Sequence, residues 1–247
     1  LTRALDKISL RIVAISDLHG HLPEITEPAD IALVVGDIMP LRIQFDRPGS
    51  KLWLETEFTQ WIMNLPVDEV FLVAGNHDAY FESISKTNLD IFLHGCKGKL
   101  KYLRNELGEY LDSYSFRWTI FGTPYCHIYG NWPFMRTEEY MKEKFKEIPD
   151  KVDIIMSHDP PFALGDADVI LDTSRTYVLS YEHLGNPALA DRLINVNYKL
   201  LVCGHIHGGD HIFNTWFNLV NVSYLNEGYK PCYNPFYITI EKEIPND

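Results

Sequence analysis

Asp17-Leu18-His19 and Gly204-His205-Ile206-His207 each set two metal-competent side chains one residue apart. On extended backbone, alternate residues share a face, so both members of a pair can act on one object. Between these pairs lie Gly36-Asp37, Gly75-Asn76-His77-Asp78 and Ser157-His158. Together Asp17, His19, Asp37, Asn76, His158, His205 and His207 offer carboxylate oxygen, imidazole nitrogen and one amide oxygen. Such borderline donors suit Mn, Fe, Co, Ni or Zn, and the set contains no thiolate. They are too many for one tetrahedral zinc and suit two divalent ions sharing a bridging carboxylate. Taken singly the pieces say less. Gly36-Asp37 is a turn signal, Asp17-Leu18-His19 reads as a turn cap, and His158 alone reads as a hydrogen-bonded core histidine. The His205/His207 pair is the strongest piece, because packing rarely needs two histidines on one face of a strand end.

The elements that must position these residues are short apolar runs that stop abruptly in polar residues. Leu10–Ile15, Ile31–Val35, Val70–Ala74, Val152–Met156 and Leu200–Cys203 are β-branched or aliphatic and nearly continuous. That pattern predicts strands buried on both faces. Each candidate donor follows such a run, where the crevice beyond the carboxyl ends of a sheet forms sites. Helical spacing of Leu54, Phe58, Trp61, Ile62 and Leu65 predicts a helix with Ser50 as cap and Pro66 as stop. Asn186-Pro187 predicts a second helix start, and Thr137–Phe145 a third helix. Arg117–Phe121, Phe217–Val222 and Phe236–Ile240 read as further strands. Helices and strands alternate early and strands crowd late, which predicts an α/β chain with two stacked sheets flanked by helices.

The five blocks, in this order, resemble the calcineurin-like metallophosphoesterase superfamily. Its pattern is D-x-H, G-D, G-N-H-[DE], a histidine, then G-H-x-H, and here it runs from residue 10 to about 210. The resemblance implies a four-layer αββα sandwich of two mixed sheets, one domain over residues 1–247, and a dinuclear metal site. Carried over, Asp17, His19 and His207 are ligands of one ion and Asn76, His158 and His205 of the other, with Asp37 bridging. His77 is implied to be the catalytic histidine outside the ligand set. Many members carry a carboxylate three residues after the bridging Asp that orients this histidine; here that position is Pro40. Asp78, taken as a catalytic candidate, or Asp46, or a backbone carbonyl, is expected to replace it. Ala74 before Gly75 and the lack of D-R-G after Asp37 argue against a protein phosphatase.

The expected function is hydrolysis of a phosphodiester or phosphomonoester by a metal-bridging hydroxide, with two divalent ions as cofactors. Two alternatives stand beside it: a catalytically weak scaffold of the same fold acting in protein interaction, and a single-metal hydrolase of another ester. The 247-residue chain carries 22 Lys+Arg against 34 Asp+Glu, a formal charge of −12. This acidic balance speaks against duplex nucleic acid, whose backbone calls for clustered cations. It allows a small phosphate ester, including a nucleotide, because bound cations reverse the local sign. Cys96, Cys126, Cys203 and Cys232 show no C-x-x-C spacing and read as buried or free thiols of a reducing compartment. Apolar runs are too short to span a bilayer, and no apolar leader is visible, so cytoplasmic is the default expectation. An aromatic-rich loop over 122–135 is a candidate pocket wall, and the long 159–185 segment a candidate cap. Arg42 and Arg175 are candidate phosphate contacts, although a solvated role suits them better.

Overall fold

The computed structural model describes residues 7–172 and 180–244. Arg175 and the middle of the 159–185 segment lie outside the described residues.

In chain order the strands of the first half are β1 (Lys7–Ile15), β2 (Ile31–Val35), β3 (Glu69–Val73), β4 (Leu100–Tyr102), β5 (Glu106–Leu111) and β6 (Arg117–Thr123). The short β7 (Cys126–His127) and β8 (Met135–Arg136) follow, then β9 (Ile154–Ser157), β10 (Val169–Asp172) and β11 (Ser180–His183). The last are β12 (Leu200–Cys203), β13 (Leu219–Asn221) and β14 (Phe236–Glu243). One sheet has the order β14-β1-β2-β3-β4 and the other β13-β12-β9-β6-β5. Each is mixed: β14 runs antiparallel to β1, β5 antiparallel to β6, and the remaining pairs are parallel. Two smaller pairs, β7–β8 and β10–β11, stand outside these sheets.

The period of two explains why apolar runs were continuous. In β1, Leu10, Ile12 and Ala14 point to the core between the sheets, where they meet Trp118, Ile154, Met156 and Val202. Val13 and Ile15 point outward, into a layer with Trp53, Phe58, Trp61 and Phe92. That layer comes from α1 (Arg47–Trp53), a wider turn over Leu54–Phe58, α2 (Thr59–Asn64), α3 (Ala79–Glu82) and α4 (Lys86–Gly95). Beneath the second sheet, α5 (Glu138–Phe145) and α6 (Pro187–Leu193) bury Met141, Phe145, Leu189 and Leu193. The result is the four-layer αββα order, with three apolar seams, one between the sheets and one under each helical layer, that supply most of the driving force.

Two helix starts match the sequence reading. Asn186 Oδ1 accepts from Leu189 N–H at 3.2 Å with Pro187 next, and Thr137 Oγ1 accepts from Tyr140 N–H. Ser50 does not cap its helix. The helix opens at Arg47 with Pro48 in its first turn, and Ser50 is buried inside it, donating to Ile43 O at 2.8 Å. A Pro in the first turn starts a helix without needing a side-chain cap, so the start lies upstream of the apolar stripe. The strands β4 and β5 and the helix α4 had no clear period and were not anticipated.

Candidate metal centre

The donors stand on tight turns just past the carboxyl ends of β1, β2, β3, β9 and β12. Asp17, His19, Asp37 and His205 all have positive φ, at 55°, 41°, 51° and 68°. That region is sparsely populated by non-glycine residues and persists only where surroundings over-determine it. Here the turns lock one another: Asp17 N–H donates to Gly36 O, His19 N–H to Asp37 O, and Ser16 Oγ to Val35 O at 2.7 Å. Gly75 has no room for a side chain, since a Cβ there would strike Asp37 Oδ1 and His158 Nε2.

The turns bring the donor atoms together in overlapping groups. Ligand atoms of Asp17, His19 and His207 lie within 4.8 Å of one another, as do those of Asp17, Asp37 and His158. His207 Nε2 is 3.2 Å from Asp17 Oδ1, and His158 Nε2 is 3.2 Å from Asn76 Oδ1. Asp37 Oδ2 lies 3.8 Å from His19 Nε2 and 3.4 Å from His158 Nε2. Backbone carbonyls fix two rings: His158 Nδ1 meets Val35 O at 2.8 Å and His207 Nδ1 meets Asn226 O at 3.0 Å. With Nδ1–H donating, each Nε2 presents its lone pair to the cluster, as metal-ligating histidines do. Both nitrogens of buried His19 and the Nδ2 of Asn76 have no hydrogen-bond partner. A buried polar set left unpaired is costly, and a divalent ion taking a lone pair of His19 would relieve part of it. The donor chemistry therefore fits divalent metal ions.

Electrostatics say the same. Burial opposes ionisation of Asp17 and Asp37, yet His207 holds the first below the usual carboxylate range and His158 and His77 the second. Burial pushes His19 and His205 down to about 4, so both are neutral donors at neutral pH. Burial also opposes charge on His158 and His207, but Asp37 raises the first to about 10 and Asp17 the second to about 9. Protons occupy places that suit cations.

His77 is half-buried beside this group, its ring centre 4.9 Å from that of His19 and 4.6 Å from that of Trp132. Its backbone N–H donates to Asp37 Oδ1 at 2.7 Å. The cleft over the centre holds about 240 Å³ and is walled by Tyr129, Ile170, Ile206, Glu227 and Tyr229. Trp132, which packs on His77, stacks with the 62% exposed Phe45 at 5.8 Å between centres. A larger cavity of about 860 Å³ lies at the opposite, amino-terminal ends of the strands. Several of its charges are already paired, Lys7 with Glu241 and Lys242 with Asp153, and strand chemistry there is not expected.

The calcineurin-like phosphoesterase profile matches residues 10–209, which contain every donor above. The chain belongs to the calcineurin-like phosphoesterase family. It is 26% identical over 249 residues to human "Metallophosphoesterase domain-containing protein 1", covering 93% of this chain and 71% of that protein. It is also 26% identical over 248 residues to "UPF0046 protein K07C11.7" of Caenorhabditis elegans, covering 95% and 76%. A solved crystal structure shares the fold with a TM-score of 0.57 at 17% identity, over 87% of this chain and 90% of that one. Membership of the calcineurin-like phosphoesterase family supports phosphoester hydrolysis at a metal centre.

Against that family pattern the structure settles one open position. Asp78 does not touch the His77 ring; it is fully buried and accepts from the backbone N–H groups of Gly75 at 2.8 Å, Met39 at 2.9 Å and Ile38 at 3.4 Å. Burial, with the Asp37 charge added, raises its carboxyl to about 7. Asp78 thus clasps the two loops carrying Asp37 and Asn76. Asp46 is an exposed residue at the start of α1. The partner of His77 Nδ1 is Gln44, whose Oε1 lies 2.6 Å away. No motif marked Gln44, because its spacing depends on the short 3-10 turn Leu41–Ile43 that follows Pro40.

Other residues outside the motifs also lie close by. Cys126 Sγ lies within 4.8 Å of His158 and His205 donor atoms, so a thiol does border the nitrogen and oxygen set. Burial keeps that thiol protonated, pushing it well above its ordinary value. His127 pairs with fully buried Asp159 at 2.9 Å, and His211 Nε2 meets His207 O at 3.3 Å. His183 pairs with Asp168 at 2.8 Å and ends β11. Arg42 is exposed on the 3-10 turn. Among the described residues, no helix is long and apolar enough to cross a membrane.

Proposed function

We propose that the chain hydrolyses a small phosphodiester or phosphomonoester at a centre of two divalent ions. The observation that carries this reading is Asp37 Oδ2, which faces His19 Nε2 at 3.8 Å on one side and His158 Nε2 at 3.4 Å on the other. Asp17, His19 and His207 would hold one ion, Asn76, His158 and His205 the other, with Asp37 shared. Bound there, two cations supply positive charge that clamps phosphoryl oxygens and lowers the pKa of a water toward ~7.

The chain's own groups supply the rest. Asn76 offers a neutral oxygen, so the loaded centre keeps net positive charge toward an anionic substrate. His77 is placed to give a proton to the departing oxygen. Tyr129, Tyr229 and the Trp132–Phe45 stack suit a flat organic group, a nucleoside or an aryl ester. The partner is therefore a small phosphate ester rather than a polyanion.

The test replaces Asp37 with Asn and His158 with Ala and assays chromogenic aryl monoesters and diesters with Mn²⁺. Activity is expected to fall by at least about 100-fold in each, since even outer contacts of a metal ligand are worth 10–100-fold. Bound metal should drop together with activity. Activity surviving both substitutions would sink the two-metal reading, and purified protein that takes up no metal would favour a scaffold.

A further inference from the structure

We infer that Gln44 is the positioning residue of His77, an uncharged amide fixing the ring whose Nε2 serves the departing oxygen. This rests on the reading of His77 given above. The contact is short, 2.6 Å from Gln44 Oε1 to His77 Nδ1. The chain reaches it because buried Pro40 opens the 3-10 turn Leu41–Ile43, which delivers Gln44 four residues beyond the place of the missing carboxylate. The ring is boxed by Trp132 on one side and His19 on another, at 4.6 and 4.9 Å.

A carbonyl acceptor permits only Nδ1–H on the histidine. That bond is the same whether the ring is neutral or protonated, so the ring need not turn as the proton leaves. As the P–O bond breaks, its electron pair goes to the departing oxygen, which takes the Nε2 proton; neutral His77 keeps Nδ1–H on Gln44. The amide orients without adding a negative charge beside an anionic substrate.

Two measurements test this. In the Zn²⁺-loaded and metal-free chains, long-range ¹⁵N–¹H spectra should show neutral His77 as the Nδ1–H tautomer. Gln44→Met should lose that preference and Gln44→Glu should keep it. In the Mn²⁺-loaded chain, Gln44→Met should lower kcat about 10–100-fold for esters with alkoxide leaving groups. Its KM should hold, nitrophenolate esters should lose little, and Gln44→Glu should recover most of kcat. An unchanged tautomer in Gln44→Met, or a loss equal for both leaving groups, overturns the inference. His77→Ala separates the two readings. If it shows no leaving-group-dependent loss, the role of His77 falls and that of Gln44 with it. If it shows one and Gln44→Met does not, the role of Gln44 alone falls.

Discussion

In the proposed centre, His158 and His207 are the residues at which protons and metal would compete most directly. Asp37 and Asp17 raise them to about 10 and about 9, against an ordinary value near 6.5. Both are therefore protonated at pH 7 in the metal-free chain, and a cation must displace those protons. Metal affinity should rise with pH until about 9 to 10 and fall as pH drops. Loading at pH 7 should release about two protons per chain, whereas His19 and His205, near 4, release none. Calorimetry in buffers of different ionisation enthalpy reads this number directly; no release at pH 7 would mean these histidines are not ligands. These residue types and their order were legible in the sequence, and so was their borderline donor chemistry. Gln44 was not, because a glutamine in a loop carries no periodic or motif signal, and only the turn after Pro40 brings it to His77.

Caps and turns join the elements to the site. Asn186 starts α6 by accepting from Leu189 N–H and, with its other atom, donates to Asp159 Oδ2 at 3.2 Å. Asp159 follows His158 directly and also holds His127. Thr137 caps α5 in the same way but touches nothing in the centre. Replacing either by Ala should cost about 1 kcal/mol in urea unfolding. Asn186→Ala should cost more, up to about 2 kcal/mol, because it leaves a buried carboxylate short of a donor. It alone should also weaken metal binding. Equal stability losses and unaltered metal affinity in both variants would break the link between α6 and the site. The starts of these helices were readable because capping is local chemistry. The start of α1 was misread because a proline in the first turn replaced the side-chain cap that Ser50 was expected to give.

The whole molecule divides the proposed ligands between two sheets. Asp17, His19, Asp37 and Asn76 follow strands of one, and His158, His205 and His207 strands of the other. Cations bound between them would tie the sheets at their carboxyl ends. Chelation should therefore lower the Tm, with Mn²⁺ at 100-fold over its Kd restoring about 2.7 kcal/mol. The formal charge of −12 adds a second expectation. With the metals gone, the cleft presents Asp37 and Glu227 beside a protonated His207 in place of divalent charge, and binding of inorganic phosphate should fall sharply. Titration of the chelated and reloaded protein with phosphate checks this, and undiminished binding after chelation would contradict it.

By itself the sequence determined the chemistry available and the class of frame that holds it. Continuous apolar runs demand strands buried on both faces, and polar residues that end those runs must gather at the carboxyl edge. The tertiary structure decided which atoms meet. It set Asp37 between His19 and His158, gave the Nδ1 atoms of His158 and His207 to backbone carbonyls, and turned Asp78 away from His77. Such contacts join residues far apart in the chain, and their distances depend on how two sheets pack and how short loops turn. No spacing along the chain encodes them.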